Sequence, residues 1–326
     1  MTHAPTVAIL GTRYPDFRIE ESILRPFGAS LVSGDGRSRD AIAEQAAGAT
    51  VVLAGSGPRF DAGTIDRLSC IGIVRYGVGV ETIDVEAAAR AGMWVANVPD
   101  YGTHAVALHC VSLMLAALRR LPQADHIVKS HRWGFAELRP LQSPENLTVG
   151  IVGFGRIGQR VAEMLQPFGF NLMAFDAHLN PASVRPEVRS VTFEELITTS
   201  DIVTLHAPGN ADGSALLGAR EIGLMKPRSI LVNTARGSLV DPDALEAGLM
   251  HGAPGFAALD VYPEEPPGRR FDDVGDRVLL TPHMAWYTEE SERDLRAKAA
   301  HEAGRILQGR APLHVVARPA EQALPT

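Results

Sequence analysis

Between Thr148 and Asp176 the sequence runs TVGIV, then GFGRIG, then a helical stretch, then NLMAF and an acid. A β-branched run that feeds three glycines and then a helix can fold in few ways. Gly153 allows a tight turn off the strand, Gly155 has no Cβ and lets the backbone approach a bulky anion, and Gly158 lets the next helix press on the strand. Ile157, Val161, Ala162 and Leu165 keep helical spacing, so that helix would aim its free N–H groups and positive dipole end at the turn. Arg156 adds a point charge there. Asp176 follows roughly 20 residues past the glycines, where an acid accepts from ribose hydroxyls. The stretch reads as a βαβ dinucleotide site, and an acid at 176, repelling a 2′-phosphate, favours NAD over NADP. A glycine turn alone would also suit a unit that binds nothing; the strand, helix and acid around it carry the reading.

With 326 residues, the chain is longer than one core usually covers, and two domains of roughly 100 to 200 residues are expected. The net charge of −7 comes without a dense Lys/Arg run, which argues against a direct nucleic-acid partner. Cys70 and Cys110 sit far apart in apolar segments without metal-ligand spacing, so they read as buried thiols of a reducing, cytoplasmic setting, and no metal site is expected. The start, MTHAPTVAIL, lacks the basic region of a signal peptide. The longest apolar run, Ala105 to Leu118, contains His109 and Ser112 and is too short to span a bilayer, so no membrane partner is expected.

In chain order, TVAIL, ASLVS, TVVLA, IGIVR and WVAN alternate with helical patterns and predict a parallel doubly wound sheet. A long apolar helix, about Thr103 to Leu121, and a polar arm through Trp133 to Glu145 follow. The second series, TVGIV, NLMAF, DIVTL, SILVN, FAALD and VLLT, gives six strands of a dinucleotide-binding fold. A charged helix over about Glu289 to Gln308 and a polar tail frayed at its end close the chain. The expected architecture is α/β: a Rossmann domain (101–286) inserted into a flavodoxin-like substrate domain (1–100), to which 287–326 returns.

Ligands of such sheets lie beyond the carboxyl ends of the strands. Three stretches arrive there with reactive side chains: NTARG with Arg236, LDVYPEEPPG with Glu264 and Glu265, and LLTPH with His283. Singly, each is better explained by a solvated loop or a structural histidine. Together they supply what hydride exchange at a 2-keto acid needs. Arg236 could hold the carboxylate and the carbonyl oxygen, and a carboxylate beside His283 would keep its imidazolium as proton donor.

With GFGRIGQ, DIVTLHAP, LVNTARGSLVD and TPH, and with matching spacings between Arg236, Glu265 and His283, the chain resembles the D-isomer-specific 2-hydroxyacid dehydrogenase family over nearly its whole length. The resemblance implies that Arg236, Glu265 and His283 are the catalytic set. It also implies that His206, Ala207, Thr234, Ala235 and Asp260 line the nicotinamide side of the cofactor, that Pro208, Arg236 and His283 also bind the cofactor, and that the protein is a homodimer pairing through the cofactor domain and the arm. TPHMAWYTEE and VRYGVGVETID are most similar to the C-terminal-binding protein branch of dehydrogenase-like corepressors. That likeness implies a substrate pocket of Arg75, the N–H groups of Tyr76, Gly77, Val78 and Gly79 as an anion nest, Arg236, His283, and Trp286 as a wall. Glu81 and Thr82 stand where the family has Asp and Asn, and Gly209 replaces a Leu; these departures touch the shape of the cleft.

Two functions are expected to compete. One is an NAD(H)-dependent oxidoreductase acting on a D-2-hydroxy acid, with an apolar or thioether side chain favoured over a phosphorylated one. The other is an NAD(H)-sensing, corepressor-like binding protein. Closure of the cleft is expected at hinges near Val98 to Gly102 and Ala285 to Thr288. His104 and His109 on the long helix read as packed or interfacial.

Overall fold

The computed structural model describes residues 4–12, 14–178, 186–210 and 212–320. Contacts divide the chain into two compact units, Met1–Gly102 with Thr288–Thr326, and Thr103–Tyr287. The first runs β1 (Thr6–Leu10), α1 (Arg18–Leu24), β2 (Ser30–Gly34), α2 (Arg39–Gln45), β3 (Val51–Ala54), α3 (Ala62–Ile65), β4 (Gly72–Arg75), α4 (Val85–Arg90) and β5 (Trp94–Ala96). The second contains α5 (Thr103–Leu118), α6 (Leu121–Lys129), β6 (Thr148–Val152), α7 (Arg156–Leu165), β7 (Asn171–Phe175), β8 (Val188–Ser190), α8 (Phe193–Thr199), β9 (Ile202–Leu205), α9 (Ala219–Leu224), β10 (Ile230–Asn233), α10 (Pro242–His251), β11 (Phe256–Leu259) and β12 (Val278–Leu280). Two elements, α11 (Glu289–Leu307) and β13 (Val315–Ala317), belong to the first unit again.

The second sheet has the order β12-β11-β10-β9-β6-β7-β8, parallel at every pairing. Both faces are covered, and the alternation along each strand shows it. Val149, Ile151, Val232 and Ala258 pack on the α5/α7 side with Val161 and Leu165, while Val203, Leu205, Leu231 and Leu259 pack on the other with Leu196 and Leu249. The sheet has a seventh strand beyond the six expected: β8 is three residues long with two of them exposed, too short to register as a hydrophobic run.

The first sheet has the order β13-β5-β4-β3-β1-β2. Its five parallel strands follow the flavodoxin-like pattern, but the edge differs from expectation. A strand that was not expected, β13, pairs antiparallel with β5, Val315 opposite Ala96. Glu302, buried on α11, pins it by accepting from the N–H groups of Leu313 (2.7 Å) and His314 (3.1 Å). The final residues, 321–326, lie outside those described. The long apolar helix also stops earlier than expected, at Leu118. Arg120 adopts a left-handed conformation (φ 53°), and a new helix starts with Pro122 in its first turn, where the missing N–H costs nothing. No single helix among the described residues is long and apolar enough to cross a membrane.

Candidate active site

Register brings the expected residues to one edge. Val152 lies opposite Phe175 and Leu205, Leu205 opposite Asn233, Asn233 opposite Leu259, and Leu259 opposite Leu280. Gly153, Asp176, His206, Thr234 and Asp260 each follow directly, so all five leave the sheet at the same level. The strand order reverses between β6 and β9, which is where open α/β sheets hold their ligands. There the glycine turn and the His206 loop touch. Gly153 has φ +87°, and a Cβ on it would stand 2.6 Å from the amide nitrogen of Ala207.

The other two glycines differ in what surrounds them. A Cβ on Gly158 would meet the carbonyl oxygen of Gly153 at 2.2 Å, whereas one on Gly155 would meet nothing within 4 Å. Gly155 is also the N-cap of α7 and supplies no side-chain cap, so neither a side chain nor a Cβ covers the start of that helix at Arg156 and Ile157. That cradle fits a dinucleotide pyrophosphate. Asp176 is turned onto the turn itself, accepting from the N–H of Phe154 (2.8 Å) and of His178 (2.9 Å).

His283 and Glu265 are brought together, Nδ1 to Oε2 at 2.7 Å. Ionised, Glu265 only accepts, so Nδ1 carries the hydrogen and Nε2 is the ring nitrogen left for a ligand. The second carboxylate oxygen of Glu265 accepts from the N–H of Tyr262 (3.2 Å). The Tyr262 hydroxyl lies between the carbonyl oxygens of Leu259 (3.1 Å) and Thr281 (2.9 Å), joining the loops after β11 and β12. Burial and the Asp260 charge push that phenol up to about 12, so it stays a donor. Glu264, its neighbour, is exposed.

His283 sits at φ 52°, a conformation that costs a non-glycine residue about 1–3 kcal/mol. What holds it there is Asp260, a residue expected at the cofactor. Its carboxylate is wholly buried and receives Thr281 Oγ1 (2.5 Å), Met284 N–H (3.0 Å) and Ala285 N–H (2.8 Å). His109, from α5, braces the same turn through Thr281 Oγ1 at 3.1 Å. This brace was not legible in the sequence, because its partners are 172 residues apart.

Arg236 leaves β10 with its backbone carbonyl held by Asn233 Nδ2 (2.8 Å) and its Nη1 on the carbonyl of Ala235 (2.8 Å). Next to it, a Cβ on Gly237 would fall 1.9 Å from the carbonyl carbon of Tyr262. The Arg236 loop therefore lies directly on the loop that carries Glu265, and only glycine permits it. Trp286 is half-buried, edge-on to Tyr287 at 5.6 Å. His206 turns Nε2 inward to Thr204 Oγ1 (3.0 Å), and burial lowers it to about 3, a neutral imidazole.

The first unit corrects one expectation. Tyr76 is buried, with its hydroxyl on Glu20 (3.0 Å) and its N–H on the carbonyl of Ala54; the N–H of Gly77 is used by the carbonyl of Arg75. An anion nest there reduces to Val78 and Gly79, because the strand ladder and the turn take the other two donors. Arg75 folds over this turn, Nη1 donating to the carbonyl of Tyr76. A cavity of about 610 Å³ in this unit is lined by Arg37, Arg39, Arg59 and Arg67. Three of these are committed, to Asp35 (2.9 Å), Asp61 (2.8 Å) and Asp40 (2.6 Å).

Residues 111–285 match the family model of the D-isomer specific 2-hydroxyacid dehydrogenase, NAD binding domain. The chain is 34% identical to a D-3-phosphoglycerate dehydrogenase of Methanocaldococcus jannaschii, over 87% of this chain and 55% of that one. It is 35% identical to a glyoxylate reductase of Thermococcus litoralis, over 75% of this chain and 76% of that one. It thus spans about half the length of the phosphoglycerate dehydrogenases it matches. Among solved structures, the TT0316 protein from Thermus thermophilus superposes with a TM-score of 0.85 at 29% identity, covering 95% of this chain and 99% of that one.

Proposed function

The chain belongs to the D-isomer specific 2-hydroxyacid dehydrogenase family, and from that premise we propose that it interconverts a D-2-hydroxy acid and its 2-keto acid with NAD as cofactor. The observation that carries the reading is the 2.7 Å contact of His283 and Glu265 on the sheet edge that also bears the glycine turn. The bound nicotinamide supplies or accepts the hydride. His283 gives its Nε2 proton to the carbonyl oxygen as the keto acid is reduced, and takes the hydroxyl proton in the reverse direction. Glu265 fixes the ring and stabilises its charged form, and Arg236 stabilises negative charge on the oxygen. Arg75 and the shortened nest bind the carboxylate and Trp286 walls the side chain, on the likeness to the corepressor branch. With Trp286 as that wall and no cluster of Lys and Arg among these pocket residues, the side chain is taken as apolar or thioether rather than phosphorylated. Exposed Leu121, Val128, Trp133 and Phe135 support a homodimer through the arm; the buried free thiols of Cys70 and Cys110 support a cytoplasmic setting.

The test follows NADH absorbance with glyoxylate, pyruvate, 2-keto-4-methylthiobutyrate and 3-phosphohydroxypyruvate. His283→Ala is expected to lower kcat roughly 10²–10⁴-fold while NADH affinity holds, and Arg236→Ala to lower kcat/KM. Equal loss of turnover and NADH binding in His283→Ala would contradict its role. NADH binding without turnover of any keto acid by the wild type would favour the sensing protein.

A further inference from the structure

The first unit contains a buried ion pair that the proposed chemistry does not use. Arg296, on α11, forks onto Glu20, on α1, with Nε–Oε1 at 2.9 Å and Nη2–Oε2 at 2.8 Å. Glu20 is fully buried, and the side chain of Arg296 is 5% exposed. Such a pair is weak evidence for stability, because desolvation offsets its attraction. Its further contacts are what it achieves.

Those contacts reach two loops at the carboxyl ends of strands. In the loop after β1, Arg296 Nη2 donates to the carbonyl of Asp16 (2.5 Å), and the guanidinium lies 4.6 Å over the Tyr14 ring. In the turn after β4, Tyr76 donates its hydroxyl to Glu20 Oε1, and its ring meets that of Tyr14 edge-on at 5.4 Å. Burial and the Glu20 charge hold this phenol protonated far above neutrality. The opposite end of Tyr76 is its carbonyl, which accepts from Arg75 Nη1. A continuous chain of bonds thus runs from Arg296 through Glu20 and Tyr76 to Arg75.

We propose that the Arg296–Glu20 pair is a positioning device which, acting through Tyr76, fixes the direction of the Arg75 guanidinium and so sets affinity for the substrate carboxylate. The proposal rests on the reading of Arg75 as the carboxylate-binding residue. Neither Arg296 nor Glu20 touches substrate in this scheme. Their effect is on binding.

Truncating either charge strands the other in the core and confuses loss of fold with loss of position. Tyr76→Phe avoids this by removing one hydroxyl and keeping the ring against Tyr14. With saturating NADH and the best of the four keto acids above, Tyr76→Phe is expected to raise KM about fivefold or more while kcat changes less than about twofold. Oxamate binding to the NADH complex, read by calorimetry, weakens by the same factor. In an Arg75→Met background Tyr76→Phe has no further effect on either quantity, because its influence passes through Arg75. A Tyr76→Phe protein with a lowered Tm but wild-type KM and oxamate affinity would overturn the proposal. So would full additivity with Arg75→Met, or an Arg75→Met protein that binds oxamate normally. The calorimetric arm needs no turnover, so it decides the positioning claim even if His283→Ala shows the dehydrogenase reading to be wrong.

Discussion

His206 follows β9 with its ring nitrogen turned toward Thr204 and, at 3.8 Å, the thiol of Cys110. Burial lowers it from 6.5 to about 3, and this has a sign in pH. Below pH 6.5 the unfolded chain takes up a proton at His206 that the folded chain refuses until about pH 3. Stability therefore falls as pH drops through that window and is untouched above it. Asp61, a carboxylate lowered to about 2, begins to contribute only nearer pH 4, so a comparison between pH 7 and pH 5 isolates the histidine from it. His206→Gln keeps a polar group beside Thr204 and cannot take the proton. The urea midpoint of the wild type is expected to fall more between those two pH values than that of the variant. Parallel falls would show that His206 is solvated in the folded protein.

At the scale of elements, the strand–turn–helix at β6 and α7 separates folding from binding among its own glycines. Gly158→Ala places a methyl against the Gly153 carbonyl and is expected to cost about 1–3 kcal/mol, read as a lower Tm. Gly155→Ala meets no protein atom, so Tm holds while NADH binding weakens about tenfold or more, or ~1.4 kcal/mol. A Gly155→Ala protein with unaltered NADH affinity would remove the pyrophosphate from that cradle. The three glycines were legible in the sequence because each acts on near neighbours: a turn, a gap, a helix pressed on its own strand. Arg236, Glu265 and His283 were legible as strand-end residues, and the sheet register places all three on one edge. Gly237 and Asp260 gave less away. Their demands come from Tyr262 and from the 281–285 turn, and glycines after arginines and acids at strand ends occur in many settings that make no such demand. Tyr76 was expected at the substrate pocket, and its burial could not be read because the partner of its hydroxyl, Glu20, lies 56 residues away on α1.

For the whole molecule, what the sequence concealed is the tail. Its β-branched pair, Val315 and Val316, is short and sits between Pro312 and Pro319, and the acceptor offered by Glu302 on α11 holds the preceding turn so that Val315–Ala317 joins β5. The assembly state is the matter for experiment at this scale. Light scattering at micromolar concentration is expected to give twice the 34.9 kDa chain mass. Trp133→Asp, at a residue 91% exposed, is expected to shift it toward that mass with little change in Tm of the monomer. A wild-type value of 34.9 kDa would end the dimer proposal.

Because α11 and β13 complete a sheet that starts at Thr6, the order of synthesis matters. As the first hundred residues leave the ribosome, Glu20 has no Arg296 to meet and β5 has no edge partner. The Thr103–Tyr287 unit, continuous in sequence, can close while the rest is still being made. The N-terminal segment must wait as an incomplete sheet with a carboxylate bound for its core. A nascent chain halted before α11 is thus the species most in need of a chaperone.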